Sequence, residues 1–163
     1  MVITCQCYDL NGRKSWEKKE MNVEFSGIER RLDELSERLS RLEPLRDKPR
    51  SEFDQDPYLR DIVERNLEIA AQSCIDICHR IIALENTRKP TDYYEAILIM
   101  GELGVLPVDF SQHLAPIAGF RNILVHEYIS VDWDLVYEKL QQLDDLDRFR
   151  ELVRLWMKNR GVG

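Results

Sequence analysis

The chain has 163 residues, of which 33% are charged and 44% hydrophobic, and its formal net charge is −7. This length suits one domain with a proper hydrophobic core, and the composition favours a helical globular protein over a disordered or an all-β one. The acidic balance argues against a protein that coats nucleic acid, because such affinity comes largely from Lys and Arg that neutralise phosphates, although a local basic site is compatible with it.

The first 21 residues show no clear hydrophobic period and are predicted to form a flexible leader, with Met21 a candidate for the natural start. They lack the basic start and the long apolar stretch of a signal peptide. No apolar run in the chain approaches the roughly 20 residues of a membrane helix. We therefore expect a cytoplasmic protein without membrane contacts, whose folded domain covers residues 22–160.

Apolar periodicity predicts a first helix from Asn22 to Glu43, which Pro44 ends before a charged loop over residues 44–56. Mixed charges fill the side of this helix that faces solvent, in a spacing suited to i,i+4 pairs. Its apolar residues recur at intervals of three and four and form one stripe, consisting of Ile28, Leu32, Leu35, Leu39 and Leu42.

A long second helix is predicted from Pro57 to Leu84, with Pro57 in its first turn. Its apolar face is broad, which suggests contacts on two sides, as for a central bundle helix that also meets a partner. Thr91 is the predicted N-cap of a short helix over residues 92–103, which Gly104 ends.

The next predicted helix begins at Pro107 and continues into the segment Arg-Asn-Ile-Leu-Val-His-Glu-Tyr at residues 121–128. Asp132 is predicted to cap a last helical segment from Trp133 to about Asn159, with a bend near residues 144–145. The sequence has no strand-like alternation of useful length. These patterns predict an all-α, up-and-down bundle of about five helices.

The segment 121–128 combines side chains that suit phosphodiester chemistry. Arg121 is a permanent cation whose planar fork matches phosphate, and His126 can take and give a proton near neutral pH. On an ideal helix they lie about 140° apart around the axis, so one helix cannot easily aim both at the same atom. Metal-free RNA cleavage needs a base, an acid and a cation, and two facing copies of the segment supply two His and two Arg. The chemistry therefore favours a homodimer with a composite site.

Structural roles compete with this interpretation. An Arg near the end of a helix often caps carbonyls or pairs with a carboxylate, and a His there gains from the helix dipole. Arg-x4-His is also a short pattern that is not specific by itself. On the long helix, Glu64 and Asn66 are candidates to line a cleft beside the segment, and the alternative is an ordinary solvated face.

Two further groups on the long helix invite a functional interpretation. Cys74 and Cys78 share a helix face beside His79, but the remaining cysteines lie in the leader, so buried small hydrophobes explain them better than a metal site. Asp76 stands four residues before Arg80 and is predicted to form a helix salt bridge rather than to act as a catalytic acid. We expect no metal and no cofactor.

Residues 121–128 resemble the Arg-(four residues)-His-x-Tyr signature of HepT-type toxins, which belong to the HEPN superfamily of helical ribonuclease domains. Residues 59–82 are similar to the long second helix of that family. Residues 93–96, Tyr-Tyr-Glu-Ala, and residues 114–120, which run into the signature, are also similar to it. The resemblance covers roughly residues 22–158 and implies a HEPN-type bundle that forms a homodimer.

The resemblance also implies a function. Members are metal-independent ribonucleases in which Arg and His meet in a cleft at the dimer interface, and they are the toxins of type VII toxin–antitoxin systems. It assigns the phosphate contact to Arg121, proton transfer to His126, and orientation of the phosphate or the histidine to Asn122. Attack by the RNA 2′-hydroxyl would then leave a 2′,3′-cyclic phosphate.

The resemblance gives Tyr128 a role of its own. The antitoxin of such systems resembles a minimal nucleotidyltransferase of the MntA type, and it transfers AMP from ATP to the motif Tyr, which blocks the RNA cleft. The added base and negative charge would exclude RNA by sterics and by repulsion. Two alternatives stay open: Tyr128 as an ordinary half-buried aromatic, and the whole chain as a non-catalytic helical module that binds a nucleotidyltransferase partner or a nucleotide.

Overall fold

The computed structural model describes the backbone of residues 15–126 and 131–161, and the side chains of residues 25–126 and 131–161. These residues form eight α-helices and no β-strand, which confirms the all-α prediction, whereas the predicted number of about five helices is too low. None of the described helices is long and apolar enough to cross a membrane. The helices are α1 (Ser15–Arg46), α2 (Arg50–Gln55), α3 (Pro57–Leu84), α4 (Tyr93–Glu102), α5 (Val108–Leu114), α6 (Ile117–His126), α7 (Trp133–Gln141) and α8 (Leu143–Asn159).

The helix number differs from the prediction mainly because two predicted helices are each divided in two. Pro116 has no N–H for the helix ladder, so α5 ends before it and α6 begins after it, where the Phe120 N–H donates to the Pro116 carbonyl at 3.2 Å. The last predicted helix divides at Gln142, whose φ of −103° and ψ of 26° are not helical. The break therefore lies just before the predicted bend, and α2 adds a short helix inside the predicted loop.

The first helix extends beyond both of its predicted ends. It begins at Ser15, inside the predicted leader, while residues 1–14 lie outside the described part of the chain, so the domain boundary stays a prediction. It also passes Pro44 and ends at Arg46, because contacts from α7 and α8 satisfy this end. The Arg46 carbonyl accepts a hydrogen bond from Nε2 of Gln141 at 2.9 Å, and the Arg46 guanidinium pairs with Asp144 at 2.8 Å. This guanidinium lowers the pKa of the Asp144 carboxyl.

The hydrophobic core surrounds α3, which contacts α1, α2, α4, α6, α7 and α8. All five residues of the predicted α1 stripe are buried. On α3 the predicted broad apolar face is only partly buried, since Ile62 is 49% exposed and Leu59 is half-buried. The predicted apolar residues of α3 that are fully in the core are Val63, Leu67, Ala70, Cys74, Ile77, Cys78, Ile81 and Ile82.

Side-chain hydrogen bonds cap the N-terminus of α4 in a variant of the capping box, in which the Glu95 carboxylate binds the N–H of the residue before the N-cap. The N-cap is Asp92 rather than the predicted Thr91, and its Oδ1 accepts a hydrogen bond from the Glu95 N–H at 2.7 Å. The Glu95 carboxylate in turn accepts from the Thr91 N–H and from Arg88. Hydrogen bonds from Thr91 and then Arg88 lower the pKa of Glu95 to about 2. Tyr93 therefore follows the cap directly, as the first residue of α4.

Gly101 lets α4 and α5 pack closely. A Cβ atom at this position would collide with the Ser111 hydroxyl and lie 3.3 Å from the Val108 Cα. We expect Gly101→Ala to lower the free energy of unfolding by about 1–3 kcal/mol, because overpacking outweighs the better helix propensity of Ala. Urea denaturation of the variant measures this difference.

Gly119 in α6 provides the matched control, because a Cβ there would meet nothing within 4 Å. Gly119→Ala is expected to raise the free energy of unfolding by up to about 1 kcal/mol through helix propensity alone. Equal stability changes in the two variants would contradict the packing argument.

Candidate functional site

Helix α6 carries the described part of the predicted motif, from Arg121 to His126. It packs on α3 and α4, and its residues Ala118 and Phe120 are buried. Asn122 and His126 are exposed, as expected for residues four apart on one helix face. Because the helix continues through His126, Arg121 and His126 stay about 140° apart around its axis. A single α6 therefore presents the two side chains in different directions.

The Arg121 side chain is partly buried and contacts the side chains of Asn122 and Tyr93. Its Nη1 donates a hydrogen bond to Asn122 Oδ1 at 3.3 Å, and its guanidinium carbon lies 5.7 Å from the centre of the Tyr93 ring. Its Nε is buried without a hydrogen-bond partner among the described residues. Most of the guanidinium fork is thus unoccupied by protein groups in the described part of the chain, and it suits a phosphate.

The end of the motif falls outside the structure's described residues. Glu127 and Tyr128 lie in the gap between α6 and α7, so the assignment of Tyr128 as the modified residue stays a prediction. After the gap, Asp132 caps α7 as predicted, and its Oδ1 accepts a hydrogen bond from the Asp134 N–H at 3.0 Å.

The two cleft candidates on α3 make other contacts. The Glu64 carboxylate accepts a hydrogen bond from the indole N–H of Trp133, which connects α3 to the start of α7. Asn66 is only 7% exposed, so a solvated face is the wrong interpretation for this residue. Its Nδ2 donates to the Ile62 carbonyl at 2.7 Å, and its Oδ1 accepts from Arg38 of α1 at 3.5 Å. These contacts support the packing of helices, and a role of either residue in a cleft stays a prediction.

The other polar candidates of α3 also connect helices. Asp76 pairs with Arg31 of α1 at 2.9 Å rather than with Arg80, so the predicted i,i+4 salt bridge is wrong in its partner. The reason is that the Arg80 guanidinium lies against Gly27 of α1. Cys74 and Cys78 are fully buried, as predicted, and burial raises the pKa of each thiol. Buried thiols with a raised pKa stay protonated and unreactive.

An aromatic group behind Arg121 was not predicted from the sequence. Tyr93 of α4 contacts both Arg121 of α6 and His79 of α3, with the His79 and Tyr93 ring centres 5.7 Å apart and their planes at 82°. The three residues come from three helices and are far apart in the chain. The part of this arrangement that a local sequence pattern could have indicated is the cap at Asp92, which places Tyr93 at the start of α4.

A separate cleft of about 300 Å³ lies between the α5–α6 pair and the α7–α8 pair. His113 lines it and is exposed, with Nε2 2.8 Å from Asp145 Oδ2. Its other polar lining residues include Lys139 and Gln142, which bond to each other at 2.8 Å. Neither Arg121 nor His126 lines this cleft.

A helical domain built around one long central helix, with Arg-x4-His on a later helix, agrees with the HEPN-type domain that the sequence resemblance implies. The family model described as Ribonuclease HepT-like matches residues 28–153, and the chain belongs to this family.

Two relatives that are named as HepT nucleases are similar to this chain in sequence. The chain is 29% identical over 105 residues to an mRNA nuclease HepT of Shewanella oneidensis, a match that covers 64% of this chain and 79% of the relative. It is 31% identical over 121 residues to a tRNA nuclease HepT of Aphanizomenon flos-aquae, which covers 71% of this chain and 79% of the relative.

Solved structures confirm the fold. A tri-AMPylated HEPN toxin of Shewanella oneidensis in complex with its MNT antitoxin superposes with a TM-score of 0.70 at 25% identity, over 78% of this chain and 96% of the toxin. A toxin–antitoxin structure with AMP-PNP gives a TM-score of 0.73 at 24% identity, over 80% of this chain and 98% of that chain. At this low identity the second likeness concerns the fold alone.

Proposed function

We propose that this chain is a metal-independent endoribonuclease that acts in the cytoplasm as the toxin of a type VII toxin–antitoxin system. The observation that carries the proposal is the placement of Arg121 and His126 on the outer part of α6, in a chain whose relatives are RNA nucleases. The largely unoccupied guanidinium fork of Arg121 supports a phosphate as the ligand.

The proposed site is composite and needs two copies of the chain. One α6 offers a single His and directs it about 140° away from its Arg, so a second α6 across a two-fold axis supplies the missing groups. One His126 takes the proton of the 2′-hydroxyl, and the 2′-oxygen attacks phosphorus. The 5′-oxygen leaves with a proton from the other His126, while Arg121 stabilises the added charge on the phosphate. The products are a 2′,3′-cyclic phosphate and a free 5′-hydroxyl.

Asn122 supports this chemistry from the same face as His126. Its side-chain oxygen holds Nη1 of Arg121, and its amide N–H group stays available to orient the phosphate or the histidine. Glu64 and Asn66 are the weaker candidates for the cleft, because their polar atoms already bind Trp133 and Arg38.

RNA cleavage in EDTA tests the proposal. The purified chain is expected to degrade RNA at an undiminished rate in the chelator, and Arg121→Ala is expected to lower that rate by about 10²–10³-fold, the usual effect of removing one group that stabilises transition-state charge. An oligonucleotide with a 2′-deoxy sugar at the cleaved position should resist cleavage, because the nucleophile is missing.

Arg41 provides the control for Arg121. It is an exposed arginine of α1 that pairs with Glu37 on the same helix, so Arg41→Ala removes an equal charge far from the motif. Equal cleavage by Arg121→Ala and the wild-type chain would contradict the proposed site. Loss of cleavage in EDTA, restored by a divalent metal, would contradict the metal-independent mechanism.

We further propose that an MntA-like nucleotidyltransferase is the antitoxin and that it adenylylates Tyr128. The structure of a tri-AMPylated HEPN toxin with its MNT antitoxin supports this partner and this modification. After incubation with the partner and ATP, intact mass spectrometry is expected to show added AMP on the wild-type chain and on Tyr94→Phe, but none on Tyr128→Phe. An undiminished adduct on Tyr128→Phe would assign the modification to another residue.

A second function belongs to a different class. The net charge of −7 favours a non-catalytic helical module that binds the nucleotidyltransferase or a nucleotide, because an acidic surface repels RNA. Tight partner binding without cleavage of any cellular RNA would favour this module over the ribonuclease.

A further inference from the structure

We infer that Tyr93 is a positioning residue for Arg121, and that its ring sets the direction in which the guanidinium meets a phosphate of RNA. The inference rests on the proposed ribonuclease function and adds a residue to its site. It starts from the 5.7 Å between the Arg121 guanidinium carbon and the centre of the Tyr93 ring. At this distance a cation over an aromatic face is attracted to it.

The other contacts of Arg121 cannot set its orientation by themselves. Its one hydrogen bond within the described residues runs to the neighbouring Asn122, is 3.3 Å long and uses Nη1. Its Nε is buried without a partner among these residues, so no hydrogen bond fixes the inner edge of the guanidinium. Within the part of the chain that the structure describes, the contact with the Tyr93 ring therefore joins the Arg121 guanidinium to another helix.

Tyr93 is itself held from two sides. The Asp92 cap, whose Oδ1 accepts a hydrogen bond from the Glu95 N–H, holds its backbone at the first position of α4. On the side of α3, the His79 ring meets it nearly at a right angle, with 5.7 Å between the ring centres. The His79 Nε2 is buried without a partner in the described part of the chain, so this ring packs against Tyr93 instead of forming a hydrogen bond through that atom.

An aromatic ring is suited to position a phosphate-binding arginine. A carboxylate would occupy the N–H donors of the fork, whereas an aromatic face holds the guanidinium and leaves those donors free for an anion. The ring also excludes water from one side of the guanidinium, which strengthens its attraction to phosphate. Tyr93 is 38% exposed, so the ring lies at the surface where RNA would approach.

Substitutions at Tyr93 test the inference. Tyr93→Phe keeps the aromatic face and is expected to cleave RNA at a rate close to that of the wild-type chain. Tyr93→Leu replaces the aromatic face with an aliphatic side chain and is expected to lower kcat/KM by about 3- to 30-fold, the range that cation–π energies give. Tyr94→Leu is the matched control, because Tyr94 is the adjacent tyrosine with a similar exposure of 45%.

Binding of an uncleavable 2′-O-methyl oligoribonucleotide separates positioning from a merely structural role. Fluorescence anisotropy is expected to show that Tyr93→Leu weakens binding in the wild-type background and has no further effect in the Arg121→Ala background. A purely structural role would lower the melting temperature and weaken binding equally in both backgrounds, and that result overturns the inference.

The outcomes also separate the inference from the proposed function. Wild-type cleavage by Tyr93→Leu, together with an inactive Arg121→Ala, overturns the role of Tyr93 and leaves the ribonuclease intact. If the wild-type chain does not cleave RNA, the proposed function fails. The binding measurements with the uncleavable RNA then test the role of Tyr93. Weaker binding by Tyr93→Leu only when Arg121 is present supports the positioning role. Equal weakening in both backgrounds, or no weakening, overturns it.

Discussion

Replacing His126 with alanine is expected to lower the rate of RNA cleavage by about 10²–10⁴-fold, because the variant loses the group that transfers protons to and from the RNA oxygens. His126 is exposed at the end of α6, so its removal leaves no cavity and should not change the melting temperature by much. Cleavage of a labelled oligonucleotide under single-turnover conditions measures the chemical step without product release.

His113 offers a control within the same chain. It is an exposed histidine that binds Asp145 near the other cleft, and His113→Ala should cleave RNA at the wild-type rate. If His126→Ala and His113→Ala cleave equally well, His126 does not transfer the proton. If both lose activity and melt at lower temperatures, the loss comes from the fold rather than from the chemistry.

Local patterns predicted the parts of the fold that depend on neighbouring residues. The ends of α3 at Pro57 and Leu84 are as predicted, since a proline in the first turn and a long apolar period are local signals. The cap of α7 at Asp132 is also as predicted. The division at Pro116 was missed because the apolar period continues across it, although the missing N–H of this proline interrupts the helix ladder.

Contacts between distant segments account for the remaining differences. α1 continues past Pro44 because Gln141, far along the chain, binds the carbonyl at its end. Asp76 pairs with Arg31 rather than with Arg80, because α1 and α3 lie side by side. No spacing rule within one helix contains this information.

The candidate site shows the same division between local and distant signals. Arg121, Asn122 and His126 stand in a contiguous motif, so the sequence identifies them and the structure adds that α6 is continuous through them. Tyr93 meets Arg121 and His79 only after α3, α4 and α6 pack, so this group of contacts beside the motif cannot be predicted from spacing. The sequence also did not indicate that Glu64, a candidate for the cleft, accepts a hydrogen bond from Trp133 of α7.

Trp133→Ala is expected to lower the free energy of unfolding by about 3–5 kcal/mol, the usual cost of removing a large buried aromatic side chain. The Trp133 ring stacks on Phe53 of α2 with 5.2 Å between centres, and its indole N–H binds Glu64 of α3. The Arg50 and Arg60 guanidinium carbons lie 5.3 Å and 5.1 Å from its centre. One side chain at the start of α7 thus contacts α2 and α3, and urea denaturation measures what this contact contributes.

Two further variants help to separate the contribution of the buried Trp133 ring from that of its indole hydrogen bond. Trp133→Phe keeps an aromatic ring against Phe53 but leaves the partly buried Glu64 carboxylate without its donor, which is expected to cost about 1–3 kcal/mol. Leu155→Ala, at a position that is 54% exposed, should change stability by less than about 0.5 kcal/mol. A Trp133→Ala chain as stable as Leu155→Ala would show that α7 does not depend on this contact. If Trp133→Phe is as unstable as Trp133→Ala, the indole hydrogen bond, rather than the buried area, holds α7 against α3.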